Sequence, residues 1–176
     1  VCMLFSCGSM RKSTTLSKEK AVAEVYDPLS PEERRKFDYF FMEAVRLKEK
    51  NDLDAAFEMY SHCLKIHPKS AVVLYELAKF YMYLGQLEKG EKALVNAVAL
   101  APDNYWYKET LATYYQSKGA NDKAIQVVED MTKQFPSRLE PLMVLVDLYT
   151  RARNYEQVIH TLDRLELLDG KSEQIS

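Results

Sequence analysis

The chain has 176 residues, with 24 Lys and Arg against 26 Asp and Glu, a net charge of −2 and 47% hydrophobic residues. That balance excludes a globally disordered chain and leaves no electrostatic footprint for nucleic acid. Only five Gly and six Pro occur, and the richness in Ala, Leu, Lys and Glu favours helices over turn-rich sheet.

The sequence opens on an apolar run, VCMLFSC, which switches abruptly to the polar stretch GSMRKSTT. Leu4, Phe5, Ser6 and Cys7 resemble a bacterial lipobox: a leucine stands three places before a cysteine and a small residue one place before it. The resemblance implies a Gram-negative lipoprotein in which residues 1–7 end a signal and Cys7 becomes the acylated first residue. Acyl chains on one residue anchor a soluble domain without a spanning helix. Residues 8–34 then read as a polar tether leading into the first helix. The other reading is an ordinary N-terminus that happens to hold Cys2 and Cys7. No run in the chain reaches the roughly 20 apolar residues of a spanning helix, so the lipid at Cys7 is the one membrane attachment expected.

LSPEERRKF is a helix start. Ser30 can cap, Pro31 suits the first turn, and Glu33 completes a capping box with its charge at the positive end of the helix. From here three prolines organise the chain, Pro68, Pro102 and Pro136, each 34 residues from the next. Proline stops a helix and pushes its predecessor out of the helical region, so equal spacing predicts equal units, at about 37–68, 71–102, 105–136 and 139–170. Apolar residues spaced near 3.6 predict two helices of about 14 residues in each. In the second unit Leu74, Leu77, Ala78 and Tyr81 mark one stripe, and Leu87, Ala93, Leu94, Ala97 and Val98 mark the next. Gly85 and Gly119 suit a left-handed turn between paired helices, with Asn51 and Asn154 near the same turn in the outer units. One helix pair repeated four times predicts an all-α solenoid.

These places resemble the tetratricopeptide-repeat family of 34-residue helix-turn-helix units. The family sets a small residue at the eighth place, met by Ala44, Ala78 and Ala112 but not by Val146. A large residue follows three places on: Leu47, Tyr81, Tyr115 and Tyr149. The small twentieth place holds Ala56, Gly90 and Ala124, and then Val158. Gly170 stands where proline closes the other units. The resemblance covers residues 35–170 and implies a right-handed superhelical array. It makes these side chains, and Cys63 among them, packing residues.

Catalysis is not expected. The sequence holds no glycine-rich phosphate loop, nucleophile elbow or HExxH motif, and no cofactor is implied. Cys63 and His67 have a four-residue spacing that can put two ligands on one helix face, but a metal site needs a third and fourth.

A solenoid offers instead a concave surface lined mainly by the first helix of each unit. In the family the second, fifth, ninth and twelfth places of that helix face the groove. Carried onto this chain, they assign Phe41, Tyr75, Lys79 and Met82, with Tyr83 beside them, to a partner-binding groove. Trp106, Glu109, Thr113, Met143 and Asp147 continue it. Trp and Tyr anchor protein contacts and Met adapts to varied shapes, which makes Trp106 the leading anchor. Replacing Trp106 and Tyr75 together by Ala is expected to weaken capture and leave the fold intact. A lysine at the fifth place with an asparagine at the ninth grips C-terminal carboxylates in some family members; that pair is absent here, and a helix or extended peptide with apolar side chains fits better.

The last unit carries Val158, Ile159, Leu162, Leu165, Leu167 and Leu168 on one helix, more than one buried stripe takes up. This predicts further repeats downstream, with residues 171–176 as the start of another unit. The reading as a whole is a non-catalytic adaptor that binds a protein or peptide and is lipid-anchored facing the periplasm. The alternatives are a cytoplasmic assembly scaffold and the accessory domain of a larger protein continuing past Ser176.

Overall fold

The computed structural model describes residues 29–173, with side chains described as far as Gly170. The signal-like run, Cys7, the tether up to residue 28 and residues 174–176 lie outside the described residues. Eight helices follow one another without a strand among the described residues: α1 (Pro31–Glu49), α2 (Leu53–Ile66), α3 (Ala71–Tyr83) and α4 (Leu87–Leu100), then α5 (Tyr105–Ser117), α6 (Asn121–Gln134), α7 (Glu140–Arg151) and α8 (Tyr155–Glu173). The main packing is between helices adjacent in the chain. The result is an all-α solenoid of four helix pairs.

The first helix starts where its local chemistry directs. Ser30 Oγ accepts from Glu33 N at 3.3 Å, and Glu33 Oε2 accepts from Ser30 N at 2.9 Å, a complete capping box. Residues 31–34, placed in the tether above, therefore belong to α1.

Each pair turns at a single left-handed residue. Asn51, Gly85, Gly119 and Arg153 have φ of 61°, 72°, 68° and 56°. They stand 34 apart, so the turn repeats with the unit. In the fourth unit it falls on Arg153, and Asn154 instead caps α8, accepting from Gln157 N at 3.3 Å. α8 also runs past Gly170 to Glu173, so residues 171–173 continue the fourth unit rather than open a fifth. Glycine weakens a helix, but it neither removes a donor nor clashes as proline does.

Small residues let the paired helices close. Ala44, Ala56, Ala78 and Ala124 are fully buried, and a Cβ at Gly90 would lie 2.8 Å from Met82 Cγ and 3.3 Å from the Ala78 carbonyl. The core forms two clusters. One joins α1, α2 and α3 around Phe37, Tyr60, Val73 and Phe80. The other runs from α3 to α7 around Leu94, Leu111, Tyr115, Val128 and Leu148. Leu64 and Tyr81 pack against both. Cys63 is buried in the first, its Sγ 3.7 Å from the Phe37 carbonyl, and burial pushes its thiol up to about 12.

Lys108 is buried although charged. It stands at the fourth place of its unit, where the others have Phe40, Leu74 and Leu142. Its Nζ donates to Asp130 and Gln134 on α6, which supplies the partners a buried cation requires.

Candidate partner-binding face

The first helices α1, α3, α5 and α7 carry the residues assigned to the groove, and polar side chains tie neighbouring helices together there. Lys48 Nζ on α1 donates to Glu76 Oε2 on α3 at 3.0 Å, and Lys79 Nζ donates to Glu76 Oε1 at 2.8 Å. Two lysines thus share one carboxylate, which leaves a local excess of positive charge. Lys79 also lies 4.6 Å above the Tyr75 ring, a favourable place for a cation. On the other side Tyr75 stacks on Tyr107 of α5 at 4.5 Å, and its hydroxyl shares a hydrogen bond of 3.1 Å with Thr110 Oγ1.

Two hollows open along these helices. One, of about 340 Å³, lies between Lys48, Leu53, Glu76, Lys79, Phe80 and Tyr83. The other, of about 380 Å³, lies among Met82, Leu87, Thr110, Thr113, Tyr114 and Lys118. Tyr83 is 76% exposed beside the first. Trp106 and Met143 are each 61% exposed on α5 and α7, and Trp106 meets Tyr105 edge-on at 5.5 Å. Glu109 is half-buried and Thr113 exposed. Asp147 is held by Arg151, whose terminal nitrogen reaches it at 2.9 Å.

Phe41 is placed differently. It is half-buried against the first core cluster, stacked on Phe37 at 6.0 Å and edge-on to Tyr60 at 5.8 Å. Lys79, Met82, Tyr83 and Thr113 thus line the two hollows, and Tyr75 touches Lys79 of one lining and Thr110 of the other, whereas Phe41 packs inward. Lys48, Glu76 and Thr110 complete these surfaces without having been singled out as site residues. The twelfth place pointed to Lys48, but Glu76 and Thr110 sit at a place whose role emerges only when neighbouring helices meet.

Among the described residues Cys63 and His67 gain no third metal ligand. His67 lies edge-on to Phe37 at 5.9 Å, and His62 stacks on Phe40 at 5.0 Å. Among the described residues no three His, Cys, Asp or Glu side chains converge as metal ligands. No described helix is long and apolar enough to cross a membrane.

The tetratricopeptide-repeat family profile matches residues 47–112, from the end of α1 into α5. The match takes in the turns at Asn51 and Gly85 and the small places at Ala56, Ala78 and Gly90. Residues 47–112 thus carry tetratricopeptide repeats. Its fold is similar to that of the crystal structure of MamA, with a TM-score of 0.66 at 17% identity, covering 78% of this chain and 81% of that one. A tetratricopeptide-repeat protein from Parabacteroides merdae superposes with a TM-score of 0.68 at 19% identity, over 78% of this chain and 55% of that one. At these identities the likeness is one of fold. The BBSome complex member BBS4 of Bos taurus is 30% identical over 108 residues, which is 61% of this chain and 21% of that protein. The chain therefore spans about a fifth of that relative's length. Tetratricopeptide repeats make protein-interaction scaffolds, generally without catalysis, and this chain has that architecture.

Proposed function

We propose that this tetratricopeptide-repeat array binds a segment of a partner protein against the face built by α1, α3, α5 and α7, and does no chemistry itself. The observation that carries the reading is the exposure of Tyr83, Trp106 and Met143 on first helices, together with two hollows, one lined by Tyr83 and walled by Phe80 and the other walled by Met82 and Leu87. Large exposed side chains next to apolar hollows are what a partner's own side chains fill. The Lys48 and Lys79 pair adds a preference for an acidic residue at the junction of the first two units.

A photo-crosslinking residue at position 83 or 106, with a control at Val95 on α4, tests this. Adducts with one partner at 83 and 106 and none at 95 are expected. Equal labelling at 95 would remove the face from consideration.

The same proposal extends to the cell envelope. Leu4 to Cys7 support lipid anchoring in a Gram-negative host. The intact mass of the protein made in such a host, beside Cys7→Ala, checks it. Acylation at Cys7 that the variant loses is expected; an unmodified mass that keeps residues 1–6 leaves a scaffold without an anchor.

A further inference from the structure

The outermost helices carry exposed stripes at the places that inner units use to stack on one another. On α8, Tyr155, Ile159, Leu162, Glu166 and Asp169 follow helical spacing and all are exposed. Tyr155 and Ile159 are 62% exposed and Leu162 44%. Inside the array the same places are covered by the next unit. Tyr60, Leu94 and Val128 stand at the place of Leu162 and are buried to 1% exposure or less. Phe57, at the place of Ile159, meets Phe80 and Tyr81 of α3 edge-on. Leu87, at the place of Tyr155, gives its carbonyl to the Tyr114 hydroxyl of α5 at 3.2 Å.

The other half of that junction is exposed on α1. Arg35, Tyr39, Met42 and Arg46 form one stripe, with Tyr39 at 67% and Met42 at 65% exposure. Val73 and Tyr107 stand at the place of Tyr39 one and two units on, and both are buried. At the place of Arg46, Phe80, Tyr114 and Leu148 are buried too.

The two stripes also complement each other in charge. Short connections make each second helix antiparallel to the first helix that follows it. When α1 of a second copy is laid on α8 in the register of the inner junctions, Arg46 falls on Tyr155 and Ile159, and Met42 on Leu162. Tyr39 then faces Glu166, and Arg35 lies beside Asp169. Apolar meets apolar, a cation meets a ring, and Arg35, just past the first turn of α1, meets Asp169 near the end of α8.

We propose that a second copy of the chain docks its α1 stripe on the α8 stripe, continuing the solenoid head to tail. The two surfaces differ, so the contact is heterologous and leaves a free face at each end for further copies. It is weaker than the inner junctions. Glu43 and Arg46 form an ion pair on α1 where inner units have Leu77 and Phe80 or Leu111 and Tyr114, and part of that pair must lose water. One helix pair also buries less than a standard interface of about 1,600 Å². The association is therefore expected at the weak end, with a dissociation constant on the order of 10–100 μM. The inference is independent of what the groove holds.

Sedimentation velocity of the 176-residue chain, from about 5 to about 500 μM to bracket that range, reads the association. Growth from monomer to dimer and larger species is expected. Tyr39→Glu and Ile159→Lys, both at exposed positions, should each stay monomeric with unchanged helicity. Mixed together they should form a dimer and nothing larger, because each retains one working face. A wild-type chain that stays monomeric throughout, as when the α8 stripe serves a different helix, overturns the proposal. So does Tyr39→Glu that still dimerises, the mark of α8 pairing with itself, and so does a mixture that stays monomeric.

Discussion

Tyr75 and Tyr107 lie ring on ring across the junction of the second and third units, their centroids 4.5 Å apart and their planes 23° from parallel. With the Thr110 hydrogen bond, this makes Tyr75 a part of the α3–α5 contact as much as a wall of the groove. Trp106 has no such double role, being 61% exposed. The expectation that both can be truncated without structural effect therefore splits. Tyr75→Ala is expected to lower unfolding stability by about 1–3 kcal/mol through lost stacking and the lost hydrogen bond to Thr110. Trp106→Ala should stay within about 0.5 kcal/mol. Urea unfolding of the two single variants checks this, and Trp106→Ala is the cleaner probe of partner binding.

Lys108 offers a test of what its buried charge contributes. Lys108→Leu copies the residue at the same place in the second and fourth units, Leu74 and Leu142. It is expected to leave stability within about 1 kcal/mol of the parent or to raise it, since apolar replacements of buried ion pairs are often neutral or better. Asp130→Ala leaves the ammonium with Gln134 alone. Because Asp130 is 62% exposed, water compensates in part, and a loss of about 1–2 kcal/mol is expected. Thermal unfolding of both variants gives the comparison, and a Lys108→Leu chain that unfolds more readily than Asp130→Ala contradicts it.

Arg153 occupies a left-handed turn that Gly85 and Gly119 occupy elsewhere. A non-glycine residue there is strained by about 1 kcal/mol. Arg153→Gly is expected to recover part of that, about 0.5–1 kcal/mol, whereas Gly119→Ala should lose about 1–2 kcal/mol. Midpoints of chemical unfolding distinguish the two signs.

Alkaline pH should destabilise the fold through two buried acids. Burial pushes the Cys63 thiol up to about 12. Burial, reinforced by the hydrogen bond to Glu129, pushes the Tyr149 hydroxyl up to about 12. The folded chain thus keeps protons that the unfolded chain releases at lower pH. Their contribution is complete below about pH 8.5, where an unfolded cysteine begins to ionise, and is lost as the pH rises toward 12. Stability measured at pH 7, 9 and 10.5 should stay level at first and then fall, and Cys63→Ala should flatten the onset near pH 9. The folded thiol should also resist alkylation at pH 8.

The repeat was readable because it is written in spacing and size. Ala44, Ala78 and Ala112 stand 34 apart and are buried where paired helices touch, and proline marks three unit ends. Features that depend on which helices meet were not readable. Lys108 looks like any surface lysine until α6 brings Asp130 and Gln134 to it, 22 and 26 residues away. Phe41 fits the pattern of a groove position, yet the aromatic neighbours Phe37 and Tyr60 draw it inward. Arg153 hides a turn residue because its side chain carries no preference for positive φ, whereas the adjacent Asn154 does. Gly170 resembles a stop, but a stop needs more than weak propensity, and α8 continues.

Packing that joins chiefly neighbours along the chain has a mechanical consequence. A pull on the two ends is borne in series by the junctions between pairs, each of which can tilt a little without breaking the next. The array is in that sense a short spring, whose pitch opens or closes by small rotations shared among three junctions. The same locality keeps loop closures short during folding, so a stretched and partly opened array regains its helix pairs quickly.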